Sequence, residues 1–219
     1  MSEQKQRSRR HFLKIAGGTL LTTAVVGGGL ITLGTRQPGV ELPEASYKGA
    51  NDMQGKILVA YASKCGSTAE VAEAIGQVLN AKGVAVDVRQ VNTVTDLSSY
   101  QAVIIGSAIR MGGWLSAAKK FVKTHQQALA KIPTAYFAVC LSLKDDTEEK
   151  RRKAAKYLDA VRAIVEPKAV GLFAGKMDYR KLSFLDRLIS EKMIKAPEGD
   201  FRNWDTIRAW AANLGATLV

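Results

Sequence analysis

The sequence has 219 residues, of which 47% are hydrophobic and 24% are charged, so it can bury one sizeable core but is short for two typical domains. Its 19 glycines, 5 prolines and 2 cysteines exclude a collagen-like chain and a disulfide-stapled scaffold. The formal net charge is +12. No zinc-finger, recognition-helix or RNP-type motif accompanies this charge, which argues against a nucleic-acid partner. An anionic membrane surface or a polycarboxylate substrate suits it better.

The positive charge is concentrated in two segments. Residues 1–34 carry a net charge of +4, and residues 110–195 carry +10, from 19 basic and 9 acidic side chains. The first segment contains Ser-Arg-Arg-His-Phe-Leu-Lys at Ser8 to Lys14, followed by a weakly apolar run from Ile15 to Leu33. This arrangement resembles the twin-arginine export signal. The alternative, a basic tail before a buried helix, fits less well because the run has no polar face.

The resemblance implies export of a protein that has already folded, with any cofactor inserted in the cytoplasm. Cleavage sites such as Thr32-Leu33-Gly34 and Pro43-Glu44-Ala45 are weak, and the apolar run has about the 20 residues of a minimal spanning helix. Cleavage and retention as an anchor therefore both stay open. We expect residues 1–34 to be this signal or anchor, 35–55 to be a linker, and 56–219 to be one domain on the outer face of the cytoplasmic membrane or in an equivalent compartment.

Strands and helices alternate in the predicted domain. The second predicted strand alternates apolar and polar residues, which indicates a sheet edge. The connection between the second and third strands is too short for more than a helical turn around Asp96 to Ser99, and Asp145 and Asp146 precede the third helix as expected caps. The predicted strands are Lys56–Tyr61, Val84–Val91, Ala102–Gly106, Thr134–Leu141 and Lys168–Ala174, and the predicted helices are Ser67–Lys82, Leu115–Leu129, Thr147–Ile164 and Asn203–Leu214.

This alternation predicts an α/β fold, a doubly wound five-stranded parallel sheet of order 2-1-3-4-5 with helices on both faces. Ligands of such sheets bind beyond the carboxyl ends of the strands, at the switch point. The loops after the first, third and fourth strands are therefore the candidate site.

The first of these loops combines small hydroxyl residues with one glycine at a helix start, which suits a phosphate monoester. It lacks the Walker and the Rossmann glycine patterns. The loop resembles the Ser/Thr-x-Thr-Gly-x-Thr loop of the flavodoxin family, with Cys65 in place of a threonine, and this resemblance implies that it holds the phosphate of FMN. Its candidate residues are Ser63, Lys64, Cys65, Gly66, Ser67 and Thr68.

A cysteine in a phosphate loop also suggests a low-molecular-weight tyrosine phosphatase. Such an enzyme needs an arginine six residues after the nucleophile to bind the phosphoryl group. This sequence has Val71 at that position, which argues against the phosphatase.

The second and third loops are expected to flank a flat ring. Trp114 stacks on that ring or is the first core residue of the next helix. Cys140 is expected to be a small core residue, and a Cys65 to Cys140 disulfide is disfavoured because their strands are not neighbours in the proposed order. The candidate residues are Ser107, Ala108, Ile109, Arg110, Met111, Gly112, Gly113 and Trp114 in the second loop, and Leu141, Ser142 and Leu143 in the third.

Three segments narrow the resemblance: VIIGSAIRMGGW, AGKMDYRKLSFLDRLISEKMIK and DFRNWDTIRAWAANL. Together they are similar to the flavodoxin-type, menaquinone-dependent protoporphyrinogen oxidase branch, over about residues 56–216. The resemblance implies that electrons pass from a porphyrinogen through FMN to a quinone. The sequence departs from this branch in its shorter phosphate loop, at Met177-Asp178-Tyr179 and in carrying an export signal.

An insertion at about residues 175–199 is expected to form a basic amphipathic helix. Such a helix lies on anionic lipid or shields a route for quinone, or else packs on the sheet edge. Its apolar face contains Leu182, Leu185, Leu188, Ile189 and Met193, and its positive charges are Arg180, Lys181, Arg187, Lys192 and Lys195.

Catalytic side chains are scarce. The two histidines are His11 in the signal and His125, so neither a catalytic triad nor a metal cluster is expected. We expect the flavin to perform the chemistry, with Arg110 and Lys176 as candidates for holding substrate carboxylates and with a quinone or a redox protein as partner. An electron carrier tethered outside the membrane, and an interaction module without a cofactor, are the alternatives.

Overall fold

The computed structural model describes Val40 and residues 42–50, 55–193 and 195–218. The proposed export signal lies outside these residues. Among these residues two compact units are distinguished: the sheet-containing body, made of the described residues between 40 and 178 and between 197 and 218, and the insertion, made of those between 179 and 196.

The body is built on one central sheet, with a short two-stranded ribbon beside it. In the described part of the chain the sheet has the strands β1 (Ala45–Tyr47), β2 (Lys56–Ala62), β3 (Val86–Gln90), β4 (Tyr100–Arg110), β5 (Gly113–Trp114), β6 (Thr134–Cys140) and β7 (Ala169–Ala174), and the ribbon pairs β8 (Lys176–Met177) with β9 (Gly199–Asp200). The parallel strands follow the order β3-β2-β4-β6-β7. This order confirms the predicted doubly wound topology.

The edge of the sheet differs from the prediction. β1 pairs antiparallel with β3, with Ser46 opposite Asp87, so the expectation that the second predicted strand forms the edge is wrong. β1 lies within residues 35–55, the predicted linker. Asp87 of β3 is buried. Its carboxylate tolerates burial because it accepts hydrogen bonds from Ser46 (2.6 Å), Tyr100 (2.9 Å) and Lys56 (3.1 Å). Burial alone raises the pKa of Asp87, but these bonds outweigh it and hold the pKa below its ordinary value.

Helices of the body cover both faces of the sheet, and they are α1 (Ser67–Ala81), α2 (Ser116–Thr124), α3 (Gln126–Leu129), α4 (Glu148–Lys156), α5 (Asp159–Arg162) and α7 (Trp204–Leu218). A further helix, α6 (Phe184–Leu188), belongs to the insertion. Alternate residues of β2 supply the two cores, since Ile57 and Val59 join α1 and α7 on one face, while Leu58 and Ala60 join α2, α3 and α5 on the other.

Two of the predicted helices are interrupted. The helix predicted from Leu115 to Leu129 divides at His125 into α2 and α3, and the one predicted from Thr147 to Ile164 divides into α4 and α5. The cap of α4 is Thr147, whose hydroxyl accepts from the Lys150 N–H at 3.3 Å, because a capping side chain must directly precede the first helical residue.

The carboxylates expected to cap α4 form ion pairs instead. Asp145 pairs with Lys150 at 2.6 Å and Asp146 pairs with Arg151 at 2.5 Å. The residues from Asp96 to Ser99 form a turn that is not helical. In this turn the N–H of Ser98 donates a hydrogen bond to the carboxylate of Asp96.

The insertion is not one continuous helix. It consists of a 3-10 turn at Tyr179–Lys181, the five-residue α6 and a π-helical turn at Ile189–Met193. Ser183 caps α6 through a hydrogen bond from Asp186 N–H, which places the helix start later than its apolar spacing predicts. Three apolar side chains of α6 are exposed: Phe184 (72%), Leu188 (44%) and Leu185 (37%). No helix within the described ranges is long and apolar enough to span a bilayer.

Candidate functional site

The three predicted loops lie along one edge of the sheet. Ala62 is paired with Ser107, and Ala108 with Val139, so β2, β4 and β6 reach the carboxyl edge side by side. The first loop leaves β2, the second lies at the end of β4, and the third follows β6. The structure therefore brings the three loops to the position predicted for them.

The first loop turns sharply into α1. Gly66 has a left-handed backbone with φ 88°, and its N–H donates to Ser63 Oγ at 3.0 Å. A side chain is disfavoured at this φ, which explains the glycine. Helix geometry leaves the N–H groups of Ser67, Thr68 and Ala69 without an intrahelical acceptor, and these groups attract an anion.

Thr68 adds a side-chain donor at this helix start. Its side chain is fully buried, and its Oγ1 has no hydrogen-bond partner. A buried hydroxyl is almost always paired, so an orphaned one beside a helix N-terminus fits a missing ligand oxygen. This observation supports a phosphate site at the start of α1.

Arg202 contacts the first loop, and this contact was not predicted from the sequence. Its Nη1 donates to the carbonyl oxygen of Ser67 at 3.3 Å, and it forms ion pairs with Glu70 (2.8 Å) and Asp200 (2.5 Å). Its guanidinium also lies over the ring of Trp204, 4.4 Å from the centroid. Since 135 residues separate Arg202 from Ser67, no local pattern could reveal the contact.

The second loop is a β-hairpin. β4 continues to Arg110, beyond the predicted end at Gly106, and returns as β5 with Arg110 opposite Gly113. The two turn residues, Met111 (φ 50°) and Gly112 (φ 76°), both have positive φ, as a type I′ turn requires. Ser107 Oγ accepts from Leu115 N–H at 3.0 Å, which ties the hairpin to the start of α2.

Trp114 lies in the core of the body. It is 3% exposed and meets Tyr136 edge-on, with ring centroids 5.1 Å apart. This agrees with the second of the two predicted roles, a core residue near the start of the next helix. Its Nε1 has no hydrogen-bond partner, although buried tryptophans usually have one.

The third loop is the 3-10 turn Leu141–Lys144, in which Leu143 is buried. Ser142 donates to the Cys140 sulfur at 3.3 Å, and burial raises the pKa of the Cys140 thiol. Cys140 is a small buried core residue, as predicted. Neither Cys140 nor Cys65 forms a disulfide, and β4 lies between their strands.

A cavity of ≈ 700 Å³ lies beside the first two loops. Of the predicted residues, Ser63, Lys64 and the hairpin from Arg110 to Trp114 line it, whereas residues 65–68, Ser107–Ile109 and the third loop do not. Residues that sequence reasoning missed complete the wall, among them Tyr61, Asn92, Lys119, Lys156 and Tyr157. Four cations thus line the cavity, and none of the described lining residues is Asp or Glu.

Lys176, the second predicted carboxylate-binding residue, lies away from this cavity. It belongs to β8 and stands opposite Asp200 of β9, where it contributes to the lowered pKa of Asp200 after the stronger effect of the Arg202 hydrogen bond. The structure therefore does not bring Lys176 together with Arg110.

The described lining residues offer anion binding and apolar walls but no nucleophile paired with a base. No group of three or more His, Cys, Asp or Glu within the described ranges could hold a metal ion. Redox chemistry at a site of this kind would need a bound redox group, because these side chains do not supply it.

Comparison with known proteins identifies a family and several relatives. A family model described as "Flavodoxin domain" matches residues 58–203. The chain is 27% identical over 176 residues to a Leishmania major protein named protoporphyrinogen IX dehydrogenase [quinone], covering 74% of this chain and 75% of that one. A protein of the same name from Escherichia coli (strain K12) is 25% identical over 172 residues, covering 73% and 94%.

Solved structures of lower identity also align with the chain. A flavodoxin from the domain Archaea aligns with a TM-score of 0.47 and 19% identity, covering 74% of this chain and 98% of that one. Fusobacterium nucleatum flavodoxin bound to flavin mononucleotide aligns with a TM-score of 0.48 and 13% identity, covering 76% and 100%.

Proposed function

Because the chain belongs to the flavodoxin domain family, whose model matches residues 58–203, we propose that it is an oxidoreductase that takes electrons from a porphyrinogen-type donor and passes them to a quinone. Its cofactor is FMN. When bound, FMN supplies redox chemistry that no protein side chain offers. The chain's own residues bind and orient the cofactor and shape the space beside it.

The start of α1 supports this proposal most directly. The left-handed Gly66, the open N–H groups of the first helical turn and the orphaned Thr68 hydroxyl fit a phosphate monoester. Ser63, Lys64, Ser67 and Thr68 would hold the phosphate. Cys65 offers only a weak donor, so its backbone serves better than its thiol.

A Thr68→Val variant is expected to bind FMN about tenfold more weakly, because it loses one hydrogen bond to a charged group. The same variant should be no less stable without FMN, since it removes a buried hydroxyl that has no protein partner. Fluorescence titration with FMN measures the affinity, and thermal unfolding of the FMN-free protein measures the stability.

Thr134→Val is the matched control. Thr134 is also buried, but its hydroxyl donates to the carbonyl oxygens of Ile132 (3.2 Å) and Leu129 (3.3 Å). This control should lower stability and leave FMN affinity unchanged. If both variants behave alike, the Thr68 hydroxyl does not contact the phosphate.

The donor and the acceptor are proposed from the two curated relatives, both named as quinone-linked protoporphyrinogen IX dehydrogenases. The cationic cavity beside the first loop supports an anionic small-molecule donor, because its lining offers positive side chains to acidic groups of such a donor. The electron donor and the electron acceptor are therefore tested by separate measurements.

Stopped-flow spectroscopy tests the acceptor. FMN-loaded full-length protein, reduced to its end point without excess reductant, is mixed anaerobically with a water-soluble menaquinone analogue. Rapid return of the oxidised flavin absorbance is expected. Protoporphyrinogen then tests the donor, with porphyrin fluorescence expected only when FMN and quinone are both present. Reoxidation by a redox protein but not by quinone would contradict the oxidase and favour the electron carrier.

The insertion supports association with an anionic membrane, which we include in the proposal. Phe184, Leu185 and Leu188 expose apolar surface, and residues 179–196 carry five basic side chains against two acidic ones. Exposed apolar and basic groups on one short segment suit an anionic lipid surface. The resemblance of residues 8–14 to a twin-arginine signal supports export, and our proposal therefore includes a membrane surface outside the cytoplasm.

Quenching by lipid tests the membrane contact. In the full-length Phe184→Trp variant, vesicles of brominated phosphatidylglycerol should quench the fluorescence of the introduced tryptophan, and salt should weaken this quenching. Met111→Trp is the matched control, since Met111 is an apolar residue 97% exposed on the hairpin of the body. Equal quenching at both positions, or quenching that is indifferent to salt, would show that the insertion has no special affinity for anionic lipid.

A further inference from the structure

The ≈ 700 Å³ cavity is strongly cationic, and the charges come from separate elements. Lys64 lies in the first loop, Arg110 at the end of β4, Lys119 on α2 and Lys156 at the end of α4. None of the described lining residues is acidic. Positive side chains that converge from separate elements give the cavity a positive electrostatic potential, which favours an anionic ligand.

The start of α2 adds partial positive charge to the same cavity. Leu115, Ser116 and Ala117 line the cavity. Leu115 precedes the helix and offers no capping side chain, and the first turn has no acidic residue. The uncapped N–H groups and the helix dipole, worth roughly half an elementary charge, therefore face a space without a protein acceptor.

A buried donor in the cavity wall is independent evidence for a ligand. Trp114 lines the cavity, is 3% exposed and has an Nε1 without a partner. Tyr61 and Val161 add apolar wall area. A ligand that suits this lining combines an apolar body with acidic groups.

We propose that this cavity binds an organic anion with an apolar body and two or more carboxylates, held by the start of α2 together with Lys119 and Lys156. The inference rests on the proposed function only in treating this anion as the electron donor. The FMN phosphate needs the start of α1, so the two anions use different helix termini. Neutral analogues of the donor should bind much more weakly.

Binding of a stable probe tests the assignment without any turnover. Mesoporphyrin, a flat macrocycle with two propionates, is titrated into FMN-loaded full-length protein, and its dimethyl ester serves as the neutral analogue. The acid should bind, and salt should weaken it. Lys119→Gln and Lys156→Gln should each weaken binding about threefold, and the double variant about tenfold. The matched control is Lys120→Gln, since Lys120 is an exposed neighbour of Lys119 and lies outside the lining.

Ser116→Asp separates ligand binding from damage to the fold. An acidic residue in the first helical turn stabilises α2 through the dipole but repels an anion. The melting temperature should therefore stay equal or rise while mesoporphyrin affinity falls. Failure of the acid to bind, equal binding of the ester, or equal losses in the Lys120 control would overturn the assignment.

The flavin absorbance of each variant distinguishes this inference from the proposed function. If Lys119→Gln or Lys156→Gln loses FMN together with mesoporphyrin, the cavity serves the cofactor and the inference is wrong, although the oxidoreductase remains. If the variants bind mesoporphyrin as predicted but reduced protein does not react with quinone, the anion site stands and the proposed function is wrong.

Discussion

A Gly106→Ala variant is expected to lose about 3 kcal/mol of unfolding free energy, at the upper end of what overpacking a core costs. A Cβ at position 106 would lie 1.9 Å from Cζ of Phe137. Phe137 is fully buried, and its ring lies near Phe173 and Trp210, each 6.3 Å away between centroids. The ring cannot move without displacing its neighbours, so the added methyl group cannot be accommodated cheaply. Urea unfolding followed by far-UV circular dichroism measures the loss.

Two further variants identify the cause of that loss. Gly113→Ala is the matched control, because a Cβ at Gly113 meets nothing within 4 Å, and we expect a change below about 0.5 kcal/mol. Phe137→Leu makes room, so the double variant with Gly106→Ala should be about 1 kcal/mol more stable than additivity predicts. Additive losses would mean that the ring of Phe137 is not the obstacle.

The architecture could be predicted because its signals are local. Each parallel strand is a short apolar run between helices, and right-handed crossovers then fix the strand order. β1 could not be predicted in this way, since Ala45–Tyr47 is only three residues long and its pairing depends on Asp87, 41 residues from Ser46. The alternation of apolar and polar residues in β3 predicts a sheet edge, whereas its polar Asp87 is a buried carboxylate that accepts hydrogen bonds from Ser46 and Tyr100.

In the candidate site, too, the features that depend on neighbouring residues could be predicted and those that depend on distant residues could not. The first loop, from Ser63 to Thr68, is contiguous, so an anion site can be predicted there from its residue types alone. Lys119 and Lys156 reach the cavity from α2 and α4, and no spacing in the sequence relates them. The hairpin turn at Met111 was missed because a methionine at positive φ lacks the usual Asn-Gly signal.

Arg202→Met is expected to lower the unfolding free energy by about 2 kcal/mol and to weaken FMN binding about tenfold. Removing a buried cation leaves its carboxylate partners unpaired. Water compensates in part, since the side chains of Glu70 and Asp200 are 39% and 38% exposed, so the loss falls below that of a fully buried pair. The effect on FMN is expected to be indirect, because Arg202 acts on the loop through its hydrogen bond to the carbonyl oxygen of Ser67.

Arg208→Met is the matched control for Arg202. Arg208 also lies near the Trp204 ring, 5.9 Å from its centroid, and pairs with Asp205 at 3.7 Å, but its side chain is 57% exposed. This control should change stability by less than about 0.5 kcal/mol and leave FMN affinity unchanged. Urea unfolding with and without saturating FMN separates the loss of fold stability from the loss of cofactor binding.

The pH dependence of the Arg202→Met effect shows whether the ion pairs cause it. Hydrogen bonding by Arg202 holds the pKa of Asp200 below its ordinary value. A lowered folded pKa adds stability above the unfolded value, about 3.9 for aspartate, and this stability is lost as the pH falls through the folded pKa. The difference between wild type and variant should therefore be largest at neutral pH and shrink below about pH 4. A constant difference across that range would assign the loss to packing on Trp204, since only the ion pairs depend on deprotonated carboxylates.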